Sequence, residues 1–498
     1  MTEKKDAWGS TIGFILASLG MAIGTGNVWR FPRMIATWGA GSFILAWIVA
    51  LFVWSIPLLI AECAIAKSTR CAHIGGFRDY MGKKWAWLGG TCAMVLIFTA
   101  ANYSMVVGWC IKYLVAAATG LCAKPISLDE ANALWAAFKA SPGQQILFQA
   151  IALILAGGTL YFGIQAGVER VCKVVIPGLF ILCIALSLYL VFAFPADRIG
   201  AAYQTMFSIQ PEYLGNAEMW LQAFTQSAWS TGAGWGLLYA YAVRVPETAH
   251  VGNNGISVAV GDQLGALVCA TVVIPAIFAF AAAPETALAD AISGGNTGLT
   301  FVSLTSLFSN MPGGGYIFSF LFFLILVGAG VTSMFAMVEV PAINMEQMGL
   351  CDHKKAVLIS TCLLFVIGLF SAFDGFYTNQ DNTTGFGLLL AGLIYSLAIL
   401  KKGPKWVLDN VINDEHSVKI YKVGGWWKVL ISIFPIVFVV LFGWWMIICA
   451  GPGMWAPFVP FSIGSMLYQW ILWGFIAFII TKAFYHKLQK GPMTVDED

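Results

Sequence analysis

The chain has 498 residues, of which 59% are hydrophobic and only 10% charged, with a net charge of +2. A soluble globular protein carries about 25% charged residues. The composition therefore excludes a soluble enzyme or binding module and defines a polytopic integral membrane protein, and no basic stretch has nucleic-acid character. The apolar character runs throughout, so residues 1–498 read as one membrane domain.

The polar opening MTEKKDAW precedes an apolar run longer than a signal h-region, which is therefore expected to stay as helix 1. About 20 apolar residues span a bilayer. Such runs lie near 11–37, 41–67, 86–118, 144–162, 171–194, 217–244, 253–284, 315–346, 355–374, 384–400, 427–450 and 463–485, predicting twelve helices. With the N-terminus placed in the cytoplasm, the inward loops hold Arg70, Arg78, Lys83, Lys84, Arg170, Lys173, Arg244, Lys354, Lys355, the basic run from Lys401 to Lys428, Lys487 and Lys490. The outward loops hold little beyond Lys124, Lys139 and Arg198. The positive-inside rule then predicts a multi-pass protein of the inner (plasma) membrane with both termini cytoplasmic.

The predicted first helix is interrupted. Residues 20–32 read GMAIGTGNVWRFP, which places three glycines, Asn27, Arg30 and Pro32 inside an apolar span. Gly costs about 1 kcal/mol and Pro about 3 relative to Ala in a helix interior. Irregular backbone at membrane depth is tolerated only where it is buried in protein or lines a wet cavity. The sixth run contains QSAWSTGAGWG (226–236), also interrupted by glycine, five segments later. Paired broken segments in matching positions point to a transporter's midplane site. Helices 1–5 (8–194) and 6–10 (217–400) read as inverted repeats with unwound helices 1 and 6, and helices 11–12 (427–485) are appended. Close packing of the small-xxx-small kind would suit Gly20 and Gly24, but it leaves Asn27, Arg30, Ser230 and Thr231 without a role.

Other residue classes say less. The eleven cysteines show no CxxC pair: Cys63, Cys92, Cys183, Cys269, Cys362 and Cys449 fall in apolar runs as small core residues. The loop cysteines Cys71, Cys122 and Cys351 carry no pairing signal, and Cys351-Asp-His353 reads as a solvated turn rather than a metal site. All five histidines lie in or near predicted loops, and nothing suggests an enzyme.

GMAIGTGNVWRFP resembles the helix 1 signature of the neurotransmitter:sodium symporter family, in its bacterial amino-acid-transporting branch. Tyr103 lies six residues before Trp109 in helix 3, Gly167 and Pro177 match a Gly-x9-Pro pattern in helix 5, and WSTGAGWG and GAGVTSMFAMVE (328–339) fit helices 6 and 8. The resemblance implies sodium-coupled symport of a neutral, apolar or aromatic, amino acid by alternating access. Its substrate site would comprise Ala22, Gly24, Gly26, Thr99, Tyr103, Trp229, Ser230, Gly232, Trp235, Ser333 and Met337. One sodium ion (Na+) would be held by the Ala22 carbonyl, Asn27, Ser230 and Asp262. A second would be held by carbonyls of Gly20, Ile23 and Ala329 with Thr332 and Ser333, whose hydroxyls could otherwise bond back to their own helix.

Asp262 stands where the family usually has Asn, and Ala266 where the chloride-independent branch has a carboxylate. Asp262 is therefore expected to replace chloride, the alternative being a protonated Asp bonded to a helix carbonyl. Gly24 replaces the Asp of amine-carrying relatives, which implies a substrate with its own carboxylate. Trp229 and Trp235, in a chain with 20 Trp residues, could also be ordinary packing. Arg30 and Asp381 match the outer gate, with Arg33 adding positive charge beside it. Lys5 and Trp8 match the inner gate, whose helix 8 acid is here Gln347 next to Glu346. Glu62 and Glu339 match internal polar positions, and Gly167 and Pro177 would let helix 5 unwind. A betaine or osmolyte carrier, a substrate-gated channel and a sensor of the same fold are the alternatives. The oligomeric state is left open.

Overall fold

The computed structural model describes residues 7–281, 288–289, 298–311, 315–417, 422–457 and 459–494. Among them it is helical throughout, apart from a single isolated bridge between Ala40 and Ile209. Ten helices are long and apolar enough to cross a bilayer, and the bent pair Thr11–Ala22 (helix 1a) and Thr25–Thr37 (helix 1b), kinked by 53°, makes an eleventh span. The ten are helix 2 (Gly41–Thr69), helix 3 (Lys83–Ala118), helix 4 (Pro142–Tyr161), helix 5 (Ile164–Ala193), helix 7 (Val251–Phe280), helix 8 (Gly315–Gln347), helix 9 (His353–Ala372), helix 10 (Asp374–Lys402), helix 11 (Trp426–Ile448) and helix 12 (Ile463–Lys487). Helix 6 completes the series as two pieces, Ala217–Thr231 (6a) and Leu237–Ala242 (6b).

Burial sorts these spans into layers. Helices 2, 3, 7, 8 and 10 bury 72–78% of their apolar windows, whereas 4, 5, 9 and 11 bury 28–39% and present residues such as Phe192 and Ile447 outward. The first set, with helices 1 and 6, forms the inner layer and the second faces lipid. Helix 10 starts ten residues before its predicted run at 384. The polar residues of its second turn are buried in protein: Asn379 donates to Ser465 at 2.7 Å and Gln380 to Gln469 at 2.6 Å. Hydropathy alone cannot see a span whose polar face is satisfied by a neighbour.

The breaks in helices 1 and 6 have local causes. Helix 1a ends where Gly24 N turns back to the Ala22 carbonyl at 2.8 Å, and Gly24 then serves as an N-cap that has no side chain to cap with. Helix 6a ends at Gly232 in the left-handed region (φ 71°), followed by Gly234 (97°) and Gly236 (73°). A Cβ on Gly234 would lie 2.8 Å from the Leu388 carbonyl oxygen, so this close approach to helix 10 requires glycine.

Candidate functional site

Between the two breaks lies a cavity of about 440 Å3. All eleven residues expected at the substrate site line it, and it continues without interruption to Arg30, Arg33, Asp381 and Phe461 at its mouth. Tyr103 of helix 3 reaches the start of helix 1b, where its hydroxyl accepts from Thr25 N at 3.0 Å. It thereby supplies the cap that Gly24 cannot. Trp229 and Trp235 meet edge to face, with ring centroids 4.7 Å apart, and Trp229 packs on the backbone of Gly385 in helix 10. Among the described residues, no charged side chain lines the cavity below the three at the mouth.

Beneath the cavity, Asn27 Nδ2 donates to Asp262 Oδ1 at 2.7 Å. Asp262 is fully buried and the Ser230 hydroxyl faces its carboxylate, yet neither its Oδ2 nor Ser230 Oγ makes a hydrogen bond of good geometry. Unpaired buried oxygens on facing elements suit a hard cation, which wants oxygen ligands. The second expected sodium cluster also assembles. Ser333 Oγ lies 3.2 Å from the Gly20 carbonyl and 3.1 Å from that of Ala329, and Thr332 packs against Gly20. Thr332 Oγ1 donates to the carbonyls of Gly328 and Ala329 on its own helix at 3.0 and 3.1 Å. Ile23 is fully buried between these elements, its side chain against Gly265 of helix 7.

The two ends of the site differ. At the mouth, Arg30 bonds to Gln226 of helix 6a and makes no ion pair with Asp381. At the other end, Trp8 is buried, donates to the Tyr241 carbonyl at 3.0 Å and packs edge to face on Phe14 and Tyr241. Lys5 lies outside the described residues. Gln347, at the expected acid position, instead accepts from Ala72 N, just before the short helix His73–Met81 that follows helix 2. Gly167 and Pro177 both sit in helix 5; Gly167 lies in a π-helical turn, Ile164–Glu169, where a Cβ would meet the Thr159 carbonyl oxygen at 2.0 Å.

Four supporting groups have partners that the sequence did not reveal. Glu62 is fully buried and accepts from Gly234 N at 2.7 Å and Tyr239 N at 3.4 Å, so a carboxylate holds the unwound amides of helix 6. His73 is fully buried rather than a loop residue, stacks on Tyr239 at 4.4 Å and bonds the Gly236 carbonyl at 3.2 Å. His250 is likewise buried and caps helix 7. Glu169 accepts from Gly9 N at 2.7 Å and Ser10 Oγ at 3.0 Å, fastening the start of helix 1a to helix 5. The partners of Glu62, His73 and Glu169 lie more than 150 positions apart in the chain, beyond the reach of local pattern.

Two discontinuous spans enclosing a midplane cavity define a secondary transporter. A family profile described as Sodium:neurotransmitter symporter family matches residues 5–135 and 136–485. The chain belongs to that family and is a sodium-dependent symporter. It is 29% identical to an uncharacterized sodium-dependent transporter of Methanocaldococcus jannaschii, over 86% of this chain and 88% of that one. It is 27% identical to the uncharacterized sodium-dependent transporter YhdH of Bacillus subtilis, over 89% and 98%. A crystal structure of MhsT in complex with L-phenylalanine superposes with a TM-score of 0.76 at 25% identity, covering 88% of this chain and 99% of that chain.

Proposed function

We propose that the protein carries neutral amino acids with large apolar or aromatic side chains, coupled to sodium and independent of chloride. The observation that supports this most is the charge pattern of the cavity: among the described residues charged side chains stand only at its mouth, and the interior offers amides, hydroxyls and indoles. The substrate carboxylate would meet the first-turn amide of Gly26, the Tyr103 hydroxyl and a sodium ion at Asn27, Ser230 and Asp262. A half-helix N-terminus favours an anion. Its ammonium group would meet carbonyls at Ala22 and Trp229, and its side chain would enter the space among Thr99, Gly232, Trp235 and Met337. L-phenylalanine in MhsT is a ligand of the same kind. A quaternary ammonium would want an open aromatic cage, whereas Trp229 and Trp235 close on each other.

Asp262 would supply the negative charge that chloride supplies in other relatives. With the basic-rich side taken as cytoplasmic, both termini lie inside and the mouth at Arg30 faces out. The molecule is then outward-open, with Trp8 sealing the inner path. Residues 8–194 and 217–400 would act as the two inverted repeats, with helices 1, 2, 6 and 7 rocking against the rest.

The test is thermal stability of the detergent-purified protein against the twenty amino acids and betaine, in sodium and in potassium. A ligand at a hundredfold excess over its Kd stabilises by about 2.7 kcal/mol. Stabilisation by a neutral amino acid in sodium alone is expected. Equal stabilisation in both salts would overturn the coupling.

A further inference from the structure

Glu339 and Glu346 lie two turns apart on one face of helix 8, and Arg244, just after helix 6b, reaches both. Arg244 Nη1 pairs with Glu339 Oε1, and Nη2 lies 3.1 Å from Glu346 Oε2. His353, the first residue of helix 9, closes the ring: Nδ1 lies 3.0 Å from Glu346 Oε2 and Nε2 3.5 Å from Glu339 Oε2. Glu339 is fully buried, and its Oε2 and the facing His353 Nε2 have no hydrogen-bond partner. One proton decides how this cluster balances. An imidazolium and Arg244 offset two carboxylates and donate to both. With a neutral ring, these four groups alone sum to −1 around a buried carboxylate, and the ring can donate to only one of the two. Its Nδ1 also lies 3.3 Å from Arg244 Nη2, so a neutral ring can turn acceptor toward Arg244 and abandon Glu346.

We propose that His353, Glu339 and Glu346 form a proton-binding site that fastens helix 6b to helices 8 and 9 through Arg244, so that a proton on His353 holds the Trp8 side closed and its loss frees it. The inference rests on reading the Trp8 side as a gate, but not on the identity of the substrate. Water would satisfy Glu339 once helix 6b swings away, so the closed form has the greater need of the imidazolium. Closure then weakens as pH rises.

Among the described residues, the neighbouring groups on helices 3, 4, 6b and 9 add no further charge to the ring. On helix 9, Asp352 pairs with Lys355 at 3.3 Å near the surface, and Lys354 lies over Tyr161 of helix 4. Tyr241 of helix 6b is neutral in this range. The sole charged residue of helix 3 between Trp87 and Ala118 is Lys112, near its opposite end.

Hydrogen exchange of the full-length protein in sodium, from pH 5.5 to 8.5 and corrected for intrinsic rates, tests this. Peptides covering 7–20 and 237–249 should be protected at low pH and lose about tenfold protection per pH unit through one single-proton transition. His353→Gln should be unprotected and flat. Glu346→Gln, at a half-exposed position, removes one carboxylate and should move the midpoint to lower pH; it decides the matter if His353→Gln does not fold. A flat wild-type profile, or a Glu346→Gln midpoint equal to that of wild type, overturns the proposal. Failure of amino acids to bind in sodium would leave this profile unchanged and overturn only the transport reading.

Discussion

Asn27 Nδ2 donates to Asp262 Oδ1 at 2.7 Å, joining the first turn of helix 1b to the middle of helix 7 across 235 positions of sequence. The second carboxylate oxygen, Oδ2, is buried and makes no hydrogen bond of good geometry, with the Ser230 hydroxyl facing the carboxylate. A carboxylate left so is costly, and a cation coordinated there removes the cost. Asp262→Asn keeps the shape and an acceptor for Asn27 but deletes the charge. Hydrogen bonds and contacts to charged groups are worth about 1.5–3 kcal/mol, or roughly 10–100-fold in an equilibrium. Sodium-driven uptake by the wild type is expected to persist in gluconate. Uptake by Asp262→Asn should fall by about tenfold or more in gluconate and recover partly in chloride. An absolute chloride requirement in the wild type would end the assignment.

The unwound part of helix 6 depends on a buried carboxylate. Glu62 accepts from Gly234 N in that segment and from Tyr239 N in the first turn of helix 6b, amides that have no helical partners. Glu62→Gln conserves volume but turns an NH2 group toward one of them. The expected cost is about 1.5–3 kcal/mol of stability, seen as a lower thermal midpoint of the purified protein. Glu247→Gln, at an exposed position, should leave it unchanged. Equal midpoints for the two variants would show that the amides find other partners.

His73 gives stability a pH dependence of known sign. Burial, opposed by its bond to Gly236, pushes the imidazole down from 6.5 to about 4. The unfolded chain therefore takes up a proton as pH falls through 6.5, while the folded chain stays neutral until about 4. Stability from this group is complete above pH 6.5 and declines between 6.5 and 4, by about 3 kcal/mol in all. Thermal midpoints of wild type and His73→Gln should converge as pH drops across that window. Parallel curves would mean that another group carries the acid sensitivity.

The breaks in helices 1 and 6 could be read from sequence because glycine, Asn27, Arg30 and Pro32 are costly in an apolar span. The cavity could be read once those breaks were matched to a family signature. The start of helix 10 could not, because its polar turns are satisfied by Ser465 and Gln469 of helix 12. Glu62 and His73 were legible as polar residues but not as supports of helix 6, since their helix 6 hydrogen-bond partners are backbone groups that carry no sequence identity. The role of Gln347 was hidden for the same reason: it accepts from the Ala72 amide. The state of the outer gate was not legible either, because whether Arg30 meets Asp381 or Gln226 depends on the conformation and not on residue type.

Gly24 and Gly26 separate binding from folding. A Cβ on Gly24 would sit 3.0 Å from Tyr103 Oη and 3.1 Å from Ser333 Oγ, whereas one on Gly26 would meet nothing within 4 Å. Gly24→Ala must therefore push the Tyr103 or Ser333 hydroxyl aside, disturbing the cap on Thr25 and the Gly20 contact together. It should lower both stability and sodium-dependent binding. Gly26→Ala enters open space on the second residue of helix 1b, where exchange of Gly for Ala gains up to about 1 kcal/mol of helix propensity. Its thermal midpoint without substrate should hold or rise. Yet Gly26 lines the cavity, and a methyl group there blocks close approach of a carboxylate to the first-turn amides, so stabilisation by L-phenylalanine in sodium should be lost. If Gly26→Ala binds L-phenylalanine as tightly as wild type does, the substrate carboxylate does not sit at the start of helix 1b.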